Sequence, residues 1–172
     1  MKFVKCTKEH INAVTKMYRE VVHALEQGIN YPQWSDEHPS NAYIADSISQ
    51  GELFACIDNG VIRGATVLSE NPEGHYEAGE WKYPLNRGEY LIVHTLAVSP
   101  SSERKGVASF LVDGCVEYAR DNGYRAIRLD VVPENTPAVH LYQKKGFTFA
   151  GRKDLKRNIK GLPLFDLYER NL

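Results

Sequence analysis

The clearest indication of how this chain of 172 residues folds is the run Val98-Ser99-Pro100-Ser101-Ser102-Glu103-Arg104-Lys105-Gly106-Val107-Ala108-Ser109. A segment rich in β-branched and apolar residues, 89–98, ends where this run begins. From Gly106 onward, apolar residues recur at helical spacing until Asn122-Gly123. The pattern predicts a strand, a polar turn and a helix that begins with small residues.

The same turn has the properties of an anion-binding site. The first backbone N–H groups of a helix lack intrahelical partners, and the helix dipole places partial positive charge there. Gly106 and Ala108 let a bulky anion approach this backbone, and Arg104 and Lys105 add cationic side chains. We therefore predict a phosphate-binding turn. The alternative is that Gly106 only serves a tight loop and that Arg104 and Lys105 are solvated, because so short a motif also occurs by chance. The spacing matches neither a Walker loop nor a dinucleotide motif.

The chain after this turn predicts two more strands around a short helix, and then a last strand. Residues 125–132 alternate apolar and polar residues, as a strand does. Thr136 is a predicted N-cap with Pro137 at the first helical position, and Gly146 is a predicted C′ residue. Further strands are predicted at 147–151 and 164–169.

The chain before the turn predicts a strand, two helices and a hairpin. The strand is 2–6, and Thr7 caps a helix that extends to Gly28. A second helix runs from Ser40 to Gly51, and Asn59-Gly60 joins strands 53–57 and 61–68. Residues 69–88 are a predicted long polar loop of the kind that often serves as a lid or binding loop, and the alternative is that part of this segment extends the flanking strands.

This order of elements predicts an α/β (or α+β) fold in a single domain, 1–172. The segment 89–132 is a predicted β-α-β crossover, which makes its two strands parallel neighbours.

Composition excludes several classes of function. The formal net charge of -1 offers no field for nucleic acid or an anionic membrane. The N-terminus lacks the apolar core of a leader, and no apolar run is long enough to span a bilayer. Three dispersed cysteines and the absence of metal-binding spacings predict no metal and reduced thiols, so we expect a cytoplasmic protein.

Two motifs resemble the signatures of the GNAT acetyltransferase superfamily. The first runs from Leu96 to Ala108, where Glu103-x-x-Gly106-x-Ala108 is similar to the family's acetyl-CoA motif. The second is Asn135-Thr136-Pro137-Ala138-Val139-His140-Leu141-Tyr142-Gln143-Lys144-Lys145-Gly146-Phe147. The first motif departs from the family at Glu103, where Arg or Gln is usual, and a carboxylate there would weaken binding of a pyrophosphate.

The resemblance implies acetyl-CoA as co-substrate and a mixed, mostly antiparallel sheet whose central parallel pair is splayed to admit it. The implied contacts to the pyrophosphate are the backbone amides of Arg104, Lys105, Gly106, Val107, Ala108 and Ser109. The implied contacts to the pantetheine arm are Leu96, Ala97, Val98, Asn135 and Tyr142. The amide at or near Val98 would stabilise charge on the thioester oxygen.

The resemblance also implies catalytic roles for Tyr142 and His94. A phenol is protonated at neutral pH, so Tyr142 is the candidate acid for the departing thiolate, or else a core aromatic. A neutral imidazole accepts a proton, so His94 is the candidate base, or else a buried, hydrogen-bonded histidine. Asp130 either orients His94 or is a solvated or structural carboxylate.

Acceptor binding is assigned to Trp34, Trp81 and Asp130. The two tryptophans lie in irregular stretches where the family places acceptor loops, although such aromatics also pin loops to a core. The predicted function is transfer of acetyl from acetyl-CoA to a small-molecule or peptide primary amine in a ternary complex, by a monomer or homodimer. The alternative is a non-catalytic acyl-CoA-binding sensor or partner module on the same fold, which Glu103 favours.

Overall fold

The computed structural model describes residues 1–172 and contains four α-helices and seven β-strands. The helices are α1 (Ile11–Gln27), α2 (Asn41–Ser49), α3 (Val107–Asp121) and α4 (Thr136–Lys144). The strands are β1 (Lys2–Lys5), β2 (Leu53–Asp58), β3 (Val61–Ser69), β4 (Tyr90–Val98), β5 (Ala126–Val131), β6 (Thr148–Lys153) and β7 (Phe165–Asn171).

The strands are hydrogen-bonded in the order β1-β2-β3-β4-β5-β7-β6. The pairs β1–β2, β2–β3, β5–β7 and β6–β7 are antiparallel, and β4–β5 is parallel. The predicted α/β fold, with a mostly antiparallel sheet and a central parallel pair, is confirmed.

Internal packing divides the chain into two compact units. The first unit comprises residues 1–68 and 94–114, and the second comprises residues 69–93 and 115–172. Both β4 and α3 contribute one part of their length to each unit. The predicted phosphate-binding turn lies in the first unit, and Tyr142 lies in the second.

The first unit is built on the predicted hairpin and the two N-terminal helices. Asn59 and Gly60 join β2 to β3 with φ of 49° and 76°, the conformation that a tight hairpin turn requires. One apolar cluster joins buried residues of α1, α2, β2 and β3, including Val14, Tyr18, Ile44, Leu53 and Val67. Each such side chain stabilises the fold by about 1.5–3 kcal/mol when fully buried.

The start of α3 packs closely against the strands of the first unit. Val107 and Leu111 form a second buried cluster with Cys56 of β2. Gly64 of β3 permits this arrangement, because a Cβ atom there would lie 2.6 Å from Ala97 O and 3.0 Å from Val107 Cγ1. The turn before α3 is therefore held by the strands beneath it.

The second unit contains the parallel pair and the long loop. Tyr90–Val93 of β4 pair with Ala126–Leu129 of β5, and β5 pairs along its whole length with β7. Between β3 and β4, the chain has one short 3-10 turn, Tyr76–Ala78, in agreement with the predicted loop. Tyr76 within this turn is only 1% exposed, so the loop packs into its unit.

Two predicted helix starts are displaced. Thr7 opens a 3-10 turn, Lys8–His10, and α1 begins after it at Ile11. The predicted N-cap of α4 at Thr136 is wrong: Asn135 is the cap, because its Oδ1 accepts the Ala138 N–H at 3.3 Å. Gly146 ends α4 with φ of 79°, as predicted.

Candidate functional site

The turn between β4 and α3 adopts a conformation that exposes backbone amides. A 3-10 turn, Pro100–Ser102, follows β4. Arg104 and Gly106 then have φ of 57° and 80°. A Cβ atom on Gly106 would meet nothing within 4 Å, so the space beside the turn is open. Glycine suits this position because it adopts positive φ without steric cost.

The first amides of α3 are available to an anion. The earliest helical hydrogen bond is from Phe110 N–H to the Gly106 carbonyl at 2.9 Å. The amides of Val107, Ala108 and Ser109 precede it in the first turn, where a helix supplies no acceptor. Together with the positive end of the helix dipole, they suit a phosphate group.

The charged side chains of the turn are exposed. Arg104, Lys105 and Glu103 all lie at the surface. The Lys105 ammonium donates to the Ser101 carbonyl at 2.7 Å, so it lies against its own turn. The turn therefore offers cationic groups beside the amides, with one carboxylate at its start.

The C-terminal part of β4 has an irregular backbone that sequence analysis did not find. Thr95 has φ of 47°, which is a strained conformation for a β-branched residue. Its carbonyl accepts the Tyr18 hydroxyl at 2.9 Å, and the neighbouring His94 carbonyl accepts Thr66 Oγ1 at 3.1 Å. The core thus fixes the chain just before Leu96, Ala97 and Val98.

His94 is buried, with 6% of its surface exposed. It lies directly before Thr95 on β4, in the first unit. Its catalytic role stays a prediction.

Tyr142 is buried on α4 of the second unit, with 7% of its surface exposed. Its ring packs edge-on against Phe147 at 5.6 Å. Burial raises the pKa of the Tyr142 phenol well above its ordinary value, and Cys115 and Asp130 raise it further. The hydroxyl is therefore protonated across the physiological range and is able to donate a proton.

Asp130 is held by partners that sequence analysis did not find. Its two carboxylate oxygens accept from Arg157 at 2.6 and 2.7 Å. The Tyr76 hydroxyl donates to the same carboxylate at 2.5 Å. The structure thus gives Asp130 a structural role in linking two loops of the second unit, and a role toward His94 stays a prediction.

The two tryptophans pin their loops. Trp34 is clamped by Asn30, whose side chain bonds both the Trp34 carbonyl at 2.7 Å and its N–H at 2.9 Å. Trp34 also packs edge-on against Tyr18 at 6.3 Å. Trp81 donates its indole N–H to the Tyr76 carbonyl at 2.7 Å. The structure thus supports the loop-pinning alternative, and acceptor binding by either residue stays a prediction.

Four side chains stack against one another under the long loop. Tyr76 and Trp81 are nearly parallel at 5.9 Å, and the Arg128 guanidinium lies 4.3 Å above Trp81. The same guanidinium lies over the ring of Tyr90, 4.1 Å from its centroid. The sequence predicts the strand around Arg128 from its alternation of apolar and polar residues and assigns Arg128 no role. The sequence feature that could have revealed this residue is a cation between the apolar residues Ile127 and Leu129.

The structure contains neither a helix that could span a membrane nor a side-chain cluster suited to a metal ion. No helix combines the length and the apolar character needed to cross a membrane. No cluster of three or more His, Cys, Asp or Glu side chains is arranged to hold a metal ion.

Comparison with known proteins identifies a family profile and several relatives. The profile of the Acetyltransferase (GNAT) family matches residues 19–147. Streptothricin acetyltransferase of Streptomyces lavendulae is 33% identical over 61 residues, covering 36% of this chain and 32% of that protein. A mycothiol acetyltransferase of Arthrobacter sp. (strain FB24) is 31% identical over 86 residues, covering 48% and 27%. The match spans about a third of the length of these curated relatives.

Solved structures share the fold over almost the whole chain. A GNAT-family acetyltransferase from Streptococcus agalactiae 2603 has a TM-score of 0.79 at 20% identity, covering 99% of this chain and 95% of that one. YncA from Salmonella typhimurium, solved with acetyl-CoA, has a TM-score of 0.71 at 17% identity, covering 99% and 93%.

Proposed function

The chain belongs to the Acetyltransferase (GNAT) family, and from that premise we propose that it transfers an acetyl group from acetyl-CoA to a primary amine. The amine attacks directly in a ternary complex, and residues 1–172 act as one acetyltransferase domain. The observation that carries this proposal is the turn at Gly106, where positive φ and the start of α3 present unbonded amides to an anion.

The turn would hold the pyrophosphate of acetyl-CoA, which supplies an activated thioester when bound. The amides of Val107, Ala108 and Ser109 are its proposed donors, with Arg104, Lys105 and Gly106 completing the turn. Leu96, Ala97, Val98, Asn135 and Tyr142 are the proposed contacts of the pantetheine arm. The Val98 amide is the proposed donor to the thioester oxygen, where a fixed N–H stabilises the charge that develops.

Two side chains are proposed to move protons. An alkylamine is mostly protonated at neutral pH, so His94 would accept a proton from it, directly or through water. Tyr142 would donate its phenolic proton to the departing thiolate. Burial raises the pKa of the Tyr142 phenol, so the hydroxyl carries its proton at neutral pH.

The proposed acceptor is a small-molecule or peptide amine. One relative is named for streptothricin, so streptothricin belongs in an acceptor panel with alkylamines, polyamines and short peptides. Trp34, Trp81 and Asp130 stay proposed acceptor contacts.

Calorimetric titration of acetyl-CoA into the purified protein tests the proposal. We expect micromolar binding and no response to ATP, and about tenfold weaker acetyl-CoA binding by Gly106→Ala, because alanine disfavours positive φ and turns the amides away. Gly60→Ala is the matched control, since Gly60 also has positive φ and open space but lies in the β2–β3 hairpin. No heat from acetyl-CoA, confirmed by an absent thermal shift, would refute the proposal.

Glu103 favours a second candidate function, a non-catalytic acyl-CoA-binding sensor or partner module. Its exposed carboxylate stands where the family's motif has Arg or Gln, beside the proposed pyrophosphate site. A sensor would bind acetyl-CoA yet release no CoA with any amine of the panel. An acetyltransferase would release CoA in proportion to acetylated product.

A further inference from the structure

The long loop borders a cavity whose wall shares one residue, Trp81, with the proposed acceptor contacts. Its volume is about 450 Å³, within the usual range of small-molecule sites. Its wall combines polar and apolar surface, and the apolar and aromatic side chains in it include Tyr76, Trp81, Leu85 and Tyr90. Arg128 also lines it, and all of these residues belong to the second unit.

The guanidinium of Arg128 lies against two aromatic rings of the cavity wall. The side chain is 3% exposed, and its guanidinium carbon lies 4.3 Å from the ring centroid of Trp81 and 4.1 Å from that of Tyr90. One edge nitrogen, Nη2, donates to the Tyr83 carbonyl at 3.1 Å. The Nε–H group is buried and has no hydrogen-bond partner, which is costly for a charged donor.

The charged partner of Arg128 within the protein is Glu169. Glu169 Oε2 lies 3.7 Å from Arg128 Nε, beyond hydrogen-bond distance, and is itself without a hydrogen-bond partner. The other oxygen, Oε1, accepts the Lys82 N–H at 2.5 Å. The acidic residue in the cavity wall is Glu77, whose side chain is 75% exposed and lies 3.7 Å from His75. The rim carboxylate is thus solvated, while the buried cation lines the interior.

We infer that this cavity binds a small organic carboxylate with an apolar body. The carboxylate accepts from the edge of Arg128, and the apolar body lies against Leu85 and the aromatic side chains. A guanidinium has five N–H donors in a planar fork, enough to serve a ligand carboxylate in addition to Glu169. A cationic ligand is disfavoured, because Arg128 already occupies the aromatic faces that would attract one. The inference concerns binding alone and does not rest on the proposed acetyl transfer.

Three probes that share a phenyl ring test the inference: phenylacetate, phenylacetamide and phenethylamine. They are titrated without acetyl-CoA while the two indole N–H signals are followed by NMR, with Trp34→Phe used to assign them. Phenylacetate should shift the Trp81 signal and leave that of Trp34 in place, with Kd of about 1 mM. The amide and the amine should bind at least about tenfold more weakly.

Matched variants locate the site. Arg128→Met with Glu169→Met replaces the buried ion pair by apolar side chains, which folds commonly tolerate, and should abolish the preference for phenylacetate. Arg125→Met removes an exposed arginine paired with Glu89 and should leave binding unchanged. Leu85→Phe, which keeps Arg128, should weaken all three probes by narrowing the cavity. Equal binding of the three probes, no Trp81 shift at about 10 mM phenylacetate, or a preference retained without Arg128 would overturn the inference.

Discussion

Burial gives Tyr142 the protonation state that its proposed role requires. The ring is anchored by Phe147, so removal of the hydroxyl changes the chemistry without changing the packing. We expect Tyr142→Phe to lower kcat about 100-fold or more, the usual contribution of a positioned acid, with acetyl-CoA affinity unchanged. Steady-state release of free CoA and calorimetry measure the two quantities. An unchanged kcat would make Tyr142 a core aromatic only.

The pH profile gives an independent check on the same residue. Because the pKa of Tyr142 is raised, its acidic form persists to higher pH than a free phenol does. The wild-type kcat should therefore show no alkaline decline below about pH 10, the ordinary pKa of a tyrosine. A decline near pH 8 that disappears in Tyr142→Phe would contradict this assignment.

The conformation and contacts of some residues could be predicted from the sequence, and those of others could not. Gly106 was identified because a single local requirement, positive φ before a helix, selects glycine. Thr95 has positive φ without any such signal, since the hydroxyl of Tyr18, 77 residues away, contacts its carbonyl. Arg128 likewise depends on Trp81 of the long loop and Tyr90 of β4, which only the folded chain brings to it.

The two long irregular segments of the second unit are joined by one buried ion pair. Arg157, from the segment between β6 and β7, binds Asp130 through two nitrogens and also donates to the Glu73 carbonyl at 2.5 Å. Tyr76 of the other segment donates to the same Asp130 carboxylate. These contacts fix both segments to β5, which explains how long loops stay packed without regular secondary structure.

Loss of Arg157 should therefore be costly. The Arg157 and Asp130 side chains are only 17% and 9% exposed, so Arg157→Met leaves a buried, unpaired carboxylate and should lower the free energy of unfolding by about 3 kcal/mol or more. Lys156→Met is the matched control, because its ion pair with Asp154 is 60% and 47% exposed and should contribute less than about 1 kcal/mol. Urea unfolding measures both, and equal losses would count against the linking role of Asp130.

The ends of helices and strands could be predicted where residues close in sequence determine them. Asn59-Gly60 and Gly146 acted as turn and stop signals because positive φ is a local demand. The start of α4 was misplaced by one residue, since Asn135 and Thr136 are both good caps and only the fold selects between them. The packing of the loop 69–89 depends on contacts with β5 and β7 that periodicity does not encode.

Buried cysteine and tyrosine side chains make the stability of the protein fall at alkaline pH. Burial raises the pKa of the Cys6 and Cys115 thiols to about 12, from an ordinary value of 9.0. Burial likewise raises the pKa of the phenols of Tyr18, Tyr76 and Tyr142. In each case the native state disfavours the anion, whereas the unfolded chain ionises freely. Their stabilising effect is complete below the unfolded pKa and is lost as the pH rises toward the folded pKa.

The free energy of unfolding should therefore be nearly constant below about pH 8 and fall progressively above it, as the thiols of the unfolded chain ionise. Each buried thiol contributes a slope of up to about 1.4 kcal/mol per pH unit between its unfolded and folded pKa values, and the tyrosines add to it above about pH 10. Urea unfolding at half-unit steps from pH 7.5 to about pH 10.5 measures the slope.

Cys115→Ala lowers stability at every pH by removing a buried side chain, yet it should flatten the decline above pH 9, because one ionisation is gone. Val116→Ala, a substitution at a buried neighbour on α3 that does not ionise, should lower stability while leaving the slope unchanged. Parallel declines in Cys115→Ala and the wild type would show that this thiol does not govern the alkaline limit.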